Sequence, residues 1–212
     1  MNIVRIDPNV ENPNIVQEAI ELVRQGKIVA HPTETVYGLA TDAFNERALD
    51  RIFDIKKRDY TRPLSIMVDS IERIEEIIGE IDKKHRKILE HFLPGPITFI
   101  LPVRKKILNP YFRQFTKIGF RIPDHKFCRE LLVTAQMPLI TTSANRSGLK
   151  NPQLAIEIAT NFGKEVDLII DGGKTKTDVA STVVDLSTKK VEFIREGTIS
   201  KKKWAAELKK IK

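Results

Sequence analysis

Residues 15–38 read IVQEAIELVRQGKIVAHPTETVYG, and this stretch contains the signals that decide the fold. Its first half carries apolar residues at helical spacing as far as Val23, and Gly26 then supplies a typical C-terminal cap. The following KIVA, residues 27–30, is a short apolar run that indicates a strand. The stretch therefore predicts a helix followed directly by a strand.

The same alternation continues along the chain. Helical patterns over residues 46–57 and 82–92 precede apolar runs at 64–68 and 98–103. Further predicted strands are residues 118–122, 139–142, 166–170, 181–186 and 191–194. Alternating helices and strands predict an α/β protein, and the strand-rich last third favours a mixed sheet with antiparallel members over a purely parallel one.

Length and composition favour one domain. A chain of 212 residues with 41% hydrophobic content can bury a core of ordinary size, and no low-complexity linker or internal repeat divides it. We therefore expect a single domain over residues 1–212. No apolar run approaches the roughly 18 residues of a membrane span, and the N-terminus lacks an export signal, so we expect a cytoplasmic protein.

Cysteine and histidine usage points to no metal site. The single cysteine, Cys128, cannot form an internal disulfide, and no cluster of Cys or His has zinc-ligand spacing. We interpret Cys128 as a helix residue.

The basic charge is concentrated in the last residues. The formal charge is +8, and residues 189–212 hold nine Lys or Arg against three Glu, which is +6 of that total. Ser200 can cap a final helix that runs through Ile211 and begins with three lysines. Such a helix could attract nucleic acid by releasing counterions, or it could simply present a solvated basic face.

Two polar segments follow apolar strands and could bind a ligand. Residues 31–38, HPTETVYG, offer hydroxyls, a carboxylate and a flexible glycine, which suit a ligand crevice at a strand's carboxyl end. Residues 141–148, TTSANRSG, crowd hydroxyl and amide groups that could bind phosphate or ribose. Each segment could equally be a capped turn.

Cations occur at two further places. Four of them lie near the end of the helix predicted at 46–57, at Lys56, Lys57, Arg58 and Arg62. They could complement the helix dipole or hold a polyphosphate, for which the planar fork of arginine is suited. Arg121 lies in an apolar strand and requires a partner there, which could be an internal carboxylate or the carboxylate of a ligand.

The common nucleotide-binding fingerprints are absent from the sequence. Gly173-Lys174-Thr175 looks like the end of a P-loop, but Leu168 stands where that motif requires its first glycine. There is also no Gly-x-Gly-x-x-Gly pattern. Any nucleotide must therefore be held by side chains and irregular loops.

Together these segments resemble the YrdC-like threonylcarbamoyl-AMP synthase family, from about Ile15 to Gly197. The resemblance is distributed over eight motifs in the family's order: residues 32–38 (PTETVYG), Lys56-x-Arg58, 94–98 (PGPIT), 121–123 (RIP), Ser143-Ala144-Asn145-x-Ser147-Gly148, 171–173 (DGG), 181–183 (STV) and 195–197 (REG).

The resemblance implies a twisted α/β sheet around a large, positively charged cavity that holds ATP, magnesium and threonine. By motif position it implies nucleotide contacts from Lys56, Arg58, Thr141, Ser143, Asn145 and Arg195, with Lys56 and Arg58 as the catalytic cations. It implies threonine contacts from Thr35, Arg121 and Ser181. We assign no metal-ligand residue, and Glu34 could orient an arginine, bind metal or cap a turn.

Two positions depart from the usual synthase pattern. Synthases commonly have Asn-Pro-Leu where this chain has Arg62-Pro63-Leu64, and a histidine in the next strand where this chain has Met67. These features resemble the YciO-like branch of the family.

The expected activity is synthesis of threonylcarbamoyl-AMP and pyrophosphate from threonine, bicarbonate and ATP. Its product is used, with a separate transferase, to form N6-threonylcarbamoyladenosine in tRNA. The alternatives are a double-stranded RNA or tRNA-binding module of the YciO-like branch, and a carbamoyl-phosphate-using enzyme. The length of the chain favours the stand-alone synthase, because the carbamoyltransferases with such domains are larger.

Overall fold

The computed structural model describes residues 2–107, 109–188 and 190–211. Within them, ten strands form one mixed sheet in the order β1-β8-β2-β3-β7-β4-β6-β5-β9-β10. The strands are β1 (Asn2–Arg5), β2 (Val29–His31), β3 (Gly38–Asp42), β4 (Ser65–Met67), β5 (Ile97–Pro102), β6 (Lys117–Arg121), β7 (Leu139–Ser143), β8 (Leu168–Asp171), β9 (Thr182–Asp185) and β10 (Glu192–Arg195). The predicted α/β class with a mixed sheet is confirmed.

Seven α-helices accompany the sheet in the described residues. They are α1 (Pro13–Arg24), α2 (Glu46–Lys56), α3 (Ile71–Ile78), α4 (Lys83–Phe92), α5 (Lys126–Ala135), α6 (Ala155–Phe162) and α7 (Lys201–Leu208). Four begin with a side chain that accepts a hydrogen bond from the backbone N–H three residues later, namely those capped by Asn45, Ser70, Asp82 and Ser200. The predicted cap at Ser200 is confirmed, although the helix ends at Leu208 and not at Ile211.

Parallel and antiparallel pairs alternate in the half of the sheet that carries the cavity. Strand β4 is antiparallel to β7 and parallel to β6, and β5 is antiparallel to β6 and parallel to β9. Because side chains alternate along each strand, the register places Ser65 beside Gly119 and Thr98 beside Arg121 on one face. The intervening residues, such as Phe99 and Phe120, join the core on the other face.

The two faces of the sheet are covered to different extents. One face packs against α2, α3, α4, α6 and α7 and forms the larger apolar cluster. On the other face, α1 and α5 contact each other and bury the apolar side chains of β2, β3, β7 and β8, among them Val29, Ala40, Leu139 and Leu168. Among the described residues, no side chain of β5, β6 or β9 belongs to this second cluster, and of β4 only Met67 does. These strands form the floor of a cavity.

Several elements were not predicted. One of them is helix α3, whose apolar residues Ile71, Ile74, Ile77 and Ile78 have a spacing that indicates a helix. Helix α6 and strand β1 were not predicted either. Strand β3 begins at Gly38, where the sequence was interpreted as the end of a polar loop. The interpretation of Cys128 as a helix residue is confirmed, since it is fully buried in α5.

No helix of the described residues is long and apolar enough to cross a membrane.

Candidate functional site

A cavity of about 630 Å³ lies over the uncovered part of the sheet. Five cationic side chains line it: Arg58, Arg62, Lys117, Arg121 and Arg195. Hydroxyl groups line it as well, from Thr33, Tyr37, Thr61, Ser65, Thr98, Thr141, Thr142, Ser143 and Ser181. No Asp or Glu is among the described lining residues, so the cavity concentrates positive charge and favours an anionic ligand.

Gly119 lies in the floor of the cavity, where a side chain would meet its neighbours. A Cβ atom at this position would lie 2.7 Å from the Ser65 Oγ and 3.3 Å from the Thr98 Cγ2. A larger residue would require the Ser65 side chain to shift and would press against Thr98. The glycine thus allows these two lining side chains to pack close to the backbone of β6.

Arg121 lies at the end of β6 and is only 7% exposed. Its Nη2 donates to the Glu34 Oε1 at 2.9 Å and to the Thr35 Oγ1 at 2.9 Å. Its Nε is buried and has no hydrogen-bond partner among the residues that the structure describes. The sequence left open whether the partner of Arg121 is an internal carboxylate or the carboxylate of a ligand. The Glu34 carboxylate satisfies one nitrogen, and the guanidinium keeps donor capacity for a ligand.

Glu34 and its neighbours hold the guanidinium of Arg121 in place. Burial raises the pKa of Glu34, but the charge and hydrogen bond of Arg121 outweigh it, so the pKa lies below its usual value. The Thr33 hydroxyl lies 3.0 Å from that of Thr35 and donates to the Val36 carbonyl at 2.6 Å. These bonds fix the turn that presents Glu34 and Thr35 to Arg121.

Arg195 comes from β10 and meets the start of β9. Its Nε and Nη2 donate to the Ser181 carbonyl at 3.0 and 2.8 Å, and the Ser181 Oγ lies 3.1 Å from the Thr98 Oγ1. Burial, followed by the charges of Arg121 and Arg58, lowers the pKa of Arg195. Three guanidinium groups thus act on one another across the cavity, an arrangement that an anion would stabilise.

Arg58 follows the left-handed residue Lys57, which has φ 51° and ends α2. Its Nε donates to the Arg62 carbonyl at 3.2 Å, and its Nη2 donates to the Pro63 carbonyl at 3.1 Å. Burial lowers its pKa. These contacts fold the loop before β4 into a wall of the cavity and bring Arg62 into the lining.

Lys56 lies behind the wall of the cavity. It is 2% exposed, and its Nζ donates to the carbonyls of Ser143 and Asn145, the latter at 2.7 Å. Burial, together with the charge of Arg58, lowers the pKa of Lys56 to about 7. In this conformation the lysine organises the loop after β7, where the Ser143 Oγ donates to the Asn145 Oδ1 at 2.5 Å.

The structure brings the nine predicted site residues to one region, at two depths. Six line the cavity: Arg58, Thr141, Ser143, Arg195, Arg121 and Ser181. The other three, Lys56, Asn145 and Thr35, contact lining residues from behind. Lys117, Thr98 and Ser65 also line the cavity and were not predicted. The position of Lys117, four residues before Arg121 in one strand, was a signal, because alternation places both on the same face.

The two departures from the synthase pattern have different surroundings. Arg62 lines the cavity and adds to its positive charge. Met67 is fully buried, pairs beside Arg121 in the sheet and belongs to the cluster with Phe127 of α5.

The fold and the cavity define an α/β protein with a positively charged cavity over one part of its sheet. A family model for the Sua5, YciO and YrdC proteins, described as "Telomere recombination", matches residues 21–197. The chain belongs to the Sua5/YciO/YrdC family, which confirms the resemblance seen in the sequence.

Relatives and solved structures agree with this assignment. The chain is 36% identical to the threonylcarbamoyl-AMP synthase of Pyrococcus abyssi over 86% of its own length and 54% of that protein. It is 34% identical to the threonylcarbamoyl-AMP synthase of Bacillus subtilis over 90% of its own length and 55% of that protein. The crystal structure of P. abyssi Sua5 complexed with L-threonine superimposes with a TM-score of 0.90 at 32% identity, covering 100% of this chain and 62% of the other. The chain thus spans just over half the length of these two relatives.

Proposed function

We propose that this chain synthesises threonylcarbamoyl-AMP from L-threonine, bicarbonate and ATP, and is thus a nucleotidyltransferase that releases pyrophosphate. The observation that carries the proposal is Arg121, a buried cation with unused donor capacity at the edge of a cavity lined by four further cations. An amino acid carboxylate and a polyphosphate are the two anions that such a site needs. The likeness to synthases and to a structure with L-threonine supports this choice of ligands.

In this proposal Arg121 binds the carboxylate of threonine through charge-assisted hydrogen bonds. Thr35 holds the guanidinium from behind, and Ser181 presents its hydroxyl to the same part of the cavity beside Thr98. Glu34 keeps Arg121 oriented, because its carboxylate takes one terminal nitrogen and leaves the rest of the fork to the ligand.

The nucleotide occupies the part of the cavity lined by the loop before β4 and the carboxyl end of β7. Arg58 and Arg195 contact its phosphates, and Thr141 and Ser143 offer hydroxyls to the phosphates or ribose. Lys56 and Asn145 support this wall, and Lys56 contributes its charge from just behind the Ser143 carbonyl.

The reaction needs no protein nucleophile. The amine of bound threonine adds to carbon dioxide with loss of a proton, or to bicarbonate with loss of water, and gives a carbamate. A carbamate oxygen then attacks the α-phosphorus of ATP. The bond between the α-phosphorus and the bridging oxygen breaks, and pyrophosphate leaves with that oxygen. The protein holds the two anions side by side, and Lys56, Arg58 and Arg195 offset the charge of the leaving pyrophosphate.

Magnesium fits this site as part of the substrate. No group of three or more His, Cys, Asp or Glu side chains in the described part of the chain is placed to hold a metal ion. Magnesium commonly binds through phosphate oxygens and water with few protein ligands. We therefore place Mg²⁺ on the phosphates of ATP and assign it no protein ligand.

The product is a mixed anhydride and requires an acceptor. We place this chain in the cytoplasm, where a separate transferase passes the threonylcarbamoyl group to adenosine of tRNA. RNA contact by the basic helix α7 is a distinct proposal, motivated by its exposed lysines at 201–203.

Omission of single substrates tests the proposed activity. Pyrophosphate release and AMP-containing product should appear only when ATP, threonine and bicarbonate are all present, since the carbamate is the nucleophile. Tight RNA binding together with background turnover under every substrate combination would favour the RNA-binding module instead. A salt titration identifies that case, because mainly electrostatic RNA binding weakens steeply as salt rises.

A further inference from the structure

Four titratable side chains lie behind Arg121, outside the lining of the cavity: His31, Glu34, His125 and Cys128. Burial lowers the pKa of His31 most, and the charges of His125, Arg121 and Glu34 act on it as well. The Cys128 Sγ lies 3.3 Å from the His31 Nδ1, so these two side chains contact each other. The other two, Glu34 and His125, each keep a buried polar atom without a hydrogen bond in the described part of the chain.

The carboxylate of Glu34 is bonded at one oxygen. Its Oε1 accepts from the Arg121 Nη2 at 2.9 Å, whereas its Oε2 is buried and receives no hydrogen bond from the described residues. Burial raises the pKa of Glu34, Arg121 lowers it, and the backbone N–H of Asp124 contributes to lowering it. The carboxylate therefore faces the turn that precedes α5. A buried acceptor without a donor costs free energy, so a donor should lie near it.

His125 brings a ring nitrogen to this turn. It is the residue before α5, yet its side chain makes no capping hydrogen bond to the helix. Its Nδ1 is buried and has no partner among the residues described. Burial lowers the pKa of His125, and the charge of Glu34 opposes this more than any other charge does. Lys176, Asp124 and Arg121 act on it more weakly. The imidazole is thus neutral at about pH 7 and lies within electrostatic reach of the carboxylate.

One choice of tautomer satisfies both unpartnered atoms. A neutral imidazole carries its proton on either ring nitrogen, and the hydrogen bond available decides which. With the proton on Nδ1, His125 can donate to the Glu34 Oε2 directly or through one water. The carboxylate is then held at both oxygens, by His125 and by Arg121. Such a chain of bonds restricts the guanidinium to one orientation.

We propose that His125 is a positioning residue for Arg121 and acts through Glu34. Its Nδ1–H donates to the Glu34 Oε2, and the fixed carboxylate leaves the Nε and other free N–H groups of Arg121 to the carboxylate of the amino acid. Orientation before binding lowers the entropy cost of binding. His125 itself does not line the cavity. This inference rests on the proposed function, because it assigns the support of the arginine that binds threonine.

Nitrogen-15 NMR of the histidine side chains tests the contact in the protein without ligands. In the neutral state, at about pH 7 and above, His125 should carry its proton on Nδ1. In Glu34→Gln the amide oxygen should face Arg121 and the amide NH₂ should face His125. The Nδ1 then becomes an acceptor, so the proton should move to Nε2.

Calorimetry with threonine tests the effect on binding. His125→Leu should weaken threonine binding about 5- to 10-fold, as expected for the loss of one hydrogen bond that orients a binding group. His125→Asn offers an amide N–H near the place of Nδ1 and should recover most of the affinity. Pyrophosphate affinity should change less than about 2-fold in both variants, since the cations proposed for the phosphates lie on other segments. The KM for threonine should rise with its dissociation constant, with little change in kcat.

His85 provides the matched control. It lies in the first turn of α4, and its Nδ1 is 2.6 Å from the Oδ2 of Asp82, so it forms a histidine–carboxylate pair away from the cavity. His85→Leu should leave threonine affinity within about 2-fold of the wild type. Melting curves must show that each variant is folded.

A double variant tests whether His125 acts through Glu34. Threonine binding by Glu34→Gln with His125→Leu should be no weaker than by Glu34→Gln alone. A full additional loss from His125→Leu in that background would contradict the route through Glu34. If Glu34→Gln does not fold, the wild-type tautomer and the two single His125 variants decide.

Three further results would overturn the inference. They are a proton on Nε2 of His125 in the wild type, unchanged threonine binding by folded His125→Leu, and a His125→Asn variant as weak as His125→Leu. Failure of the proposed function looks different. The wild type would then show no turnover that depends on threonine and bicarbonate, while the tautomer of His125 would still report its bond to Glu34.

Discussion

The same face of the sheet is apolar where α1 and α5 cover it, and carries polar as well as apolar side chains where it lines the cavity. Under α1 and α5, the strand residues that face the helices are Val29, Ala40, Leu139 and Leu168, all fully buried. On the uncovered strands, the corresponding positions hold Ser65, Thr98, Gly119 and Arg121, which line the cavity. Side chains alternate along the strands in the same way in both halves. The helices α1 and α5 therefore decide which part of this face is buried core and which part lines the cavity.

The largest expected effect is on stability in the covered half. Phe127 of α5 is fully buried in the cluster with Met67, and Phe127→Ala should lower the free energy of unfolding by about 3 to 5 kcal/mol. Urea denaturation measures this change. A loss below about 1 kcal/mol would show that α5 packs on the sheet less tightly than its burial indicates.

The covered half should also make stability depend on pH. Burial is the main cause that lowers the pKa of His31 from 6.5 to about 4. The unfolded chain then binds more protons, so the stabilisation is present above pH 6.5 and is lost as pH falls towards 4, by about 3 kcal/mol. Urea denaturation at several pH values, compared with His31→Gln, isolates this contribution. Equal slopes for the two proteins between pH 6.5 and 4 would contradict it.

In the uncovered half, Arg58→Ala should affect turnover more than stability. Loss of a guanidinium beside the phosphates should reduce the rate of pyrophosphate release about 100-fold, which corresponds to about 2.7 kcal/mol. The melting temperature should change little, because among the described residues the side chain bonds to carbonyls of its own loop. Lys203→Ala is the control with an unchanged rate. Similar, small effects of both variants would remove Arg58 from the site.

The smallest expected effect comes from Arg121→Lys, which keeps the charge and removes the fork. Threonine binding should weaken by about 10- to 100-fold, since hydrogen bonds to charged groups contribute about 1.5 to 3 kcal/mol. ATP affinity measured without threonine should change much less. Calorimetry on a folded variant measures both affinities. Unchanged threonine binding with a large loss of thermal stability would make Arg121 only the ion-pair partner of Glu34.

Local patterns predicted most of the fold. The helix that ends before Gly26, the strand after it and the Ser200 cap depend on interactions within a few residues, and all three are present. Strand β3 was not predicted because Gly38 and Thr41 are residue types common in loops and on polar surfaces. Pairing with β2 and β7 places them in a strand. The pairing with β7 joins segments that are far apart in the chain and leaves no local signal.

The predicted site residues lie close together in the structure, and the sequence did not indicate how deeply each one is buried. Arg121 drew attention because a charge in an apolar strand needs a partner, and the sequence alone left that partner open. Lys56 was expected at the phosphates, yet it donates to carbonyls of the loop after β7 and is buried. Lys117 was missed because it lies just outside the predicted strand at 118–122, although its spacing from Arg121 places both side chains on one face.

The sequence by itself determined the α/β class, the family and many of the cations and hydroxyls that line the cavity, because periodicity and motifs are written in residue order. Only the tertiary structure decided which strands α1 and α5 leave uncovered, and therefore which side chains face a ligand. It also decided that Glu34 and Asp185 hold Arg121 and Lys117 at the two ends of one strand. The physical reason is that burial and ion pairing depend on distances between segments that are far apart in the chain, and the order of residues does not contain those distances.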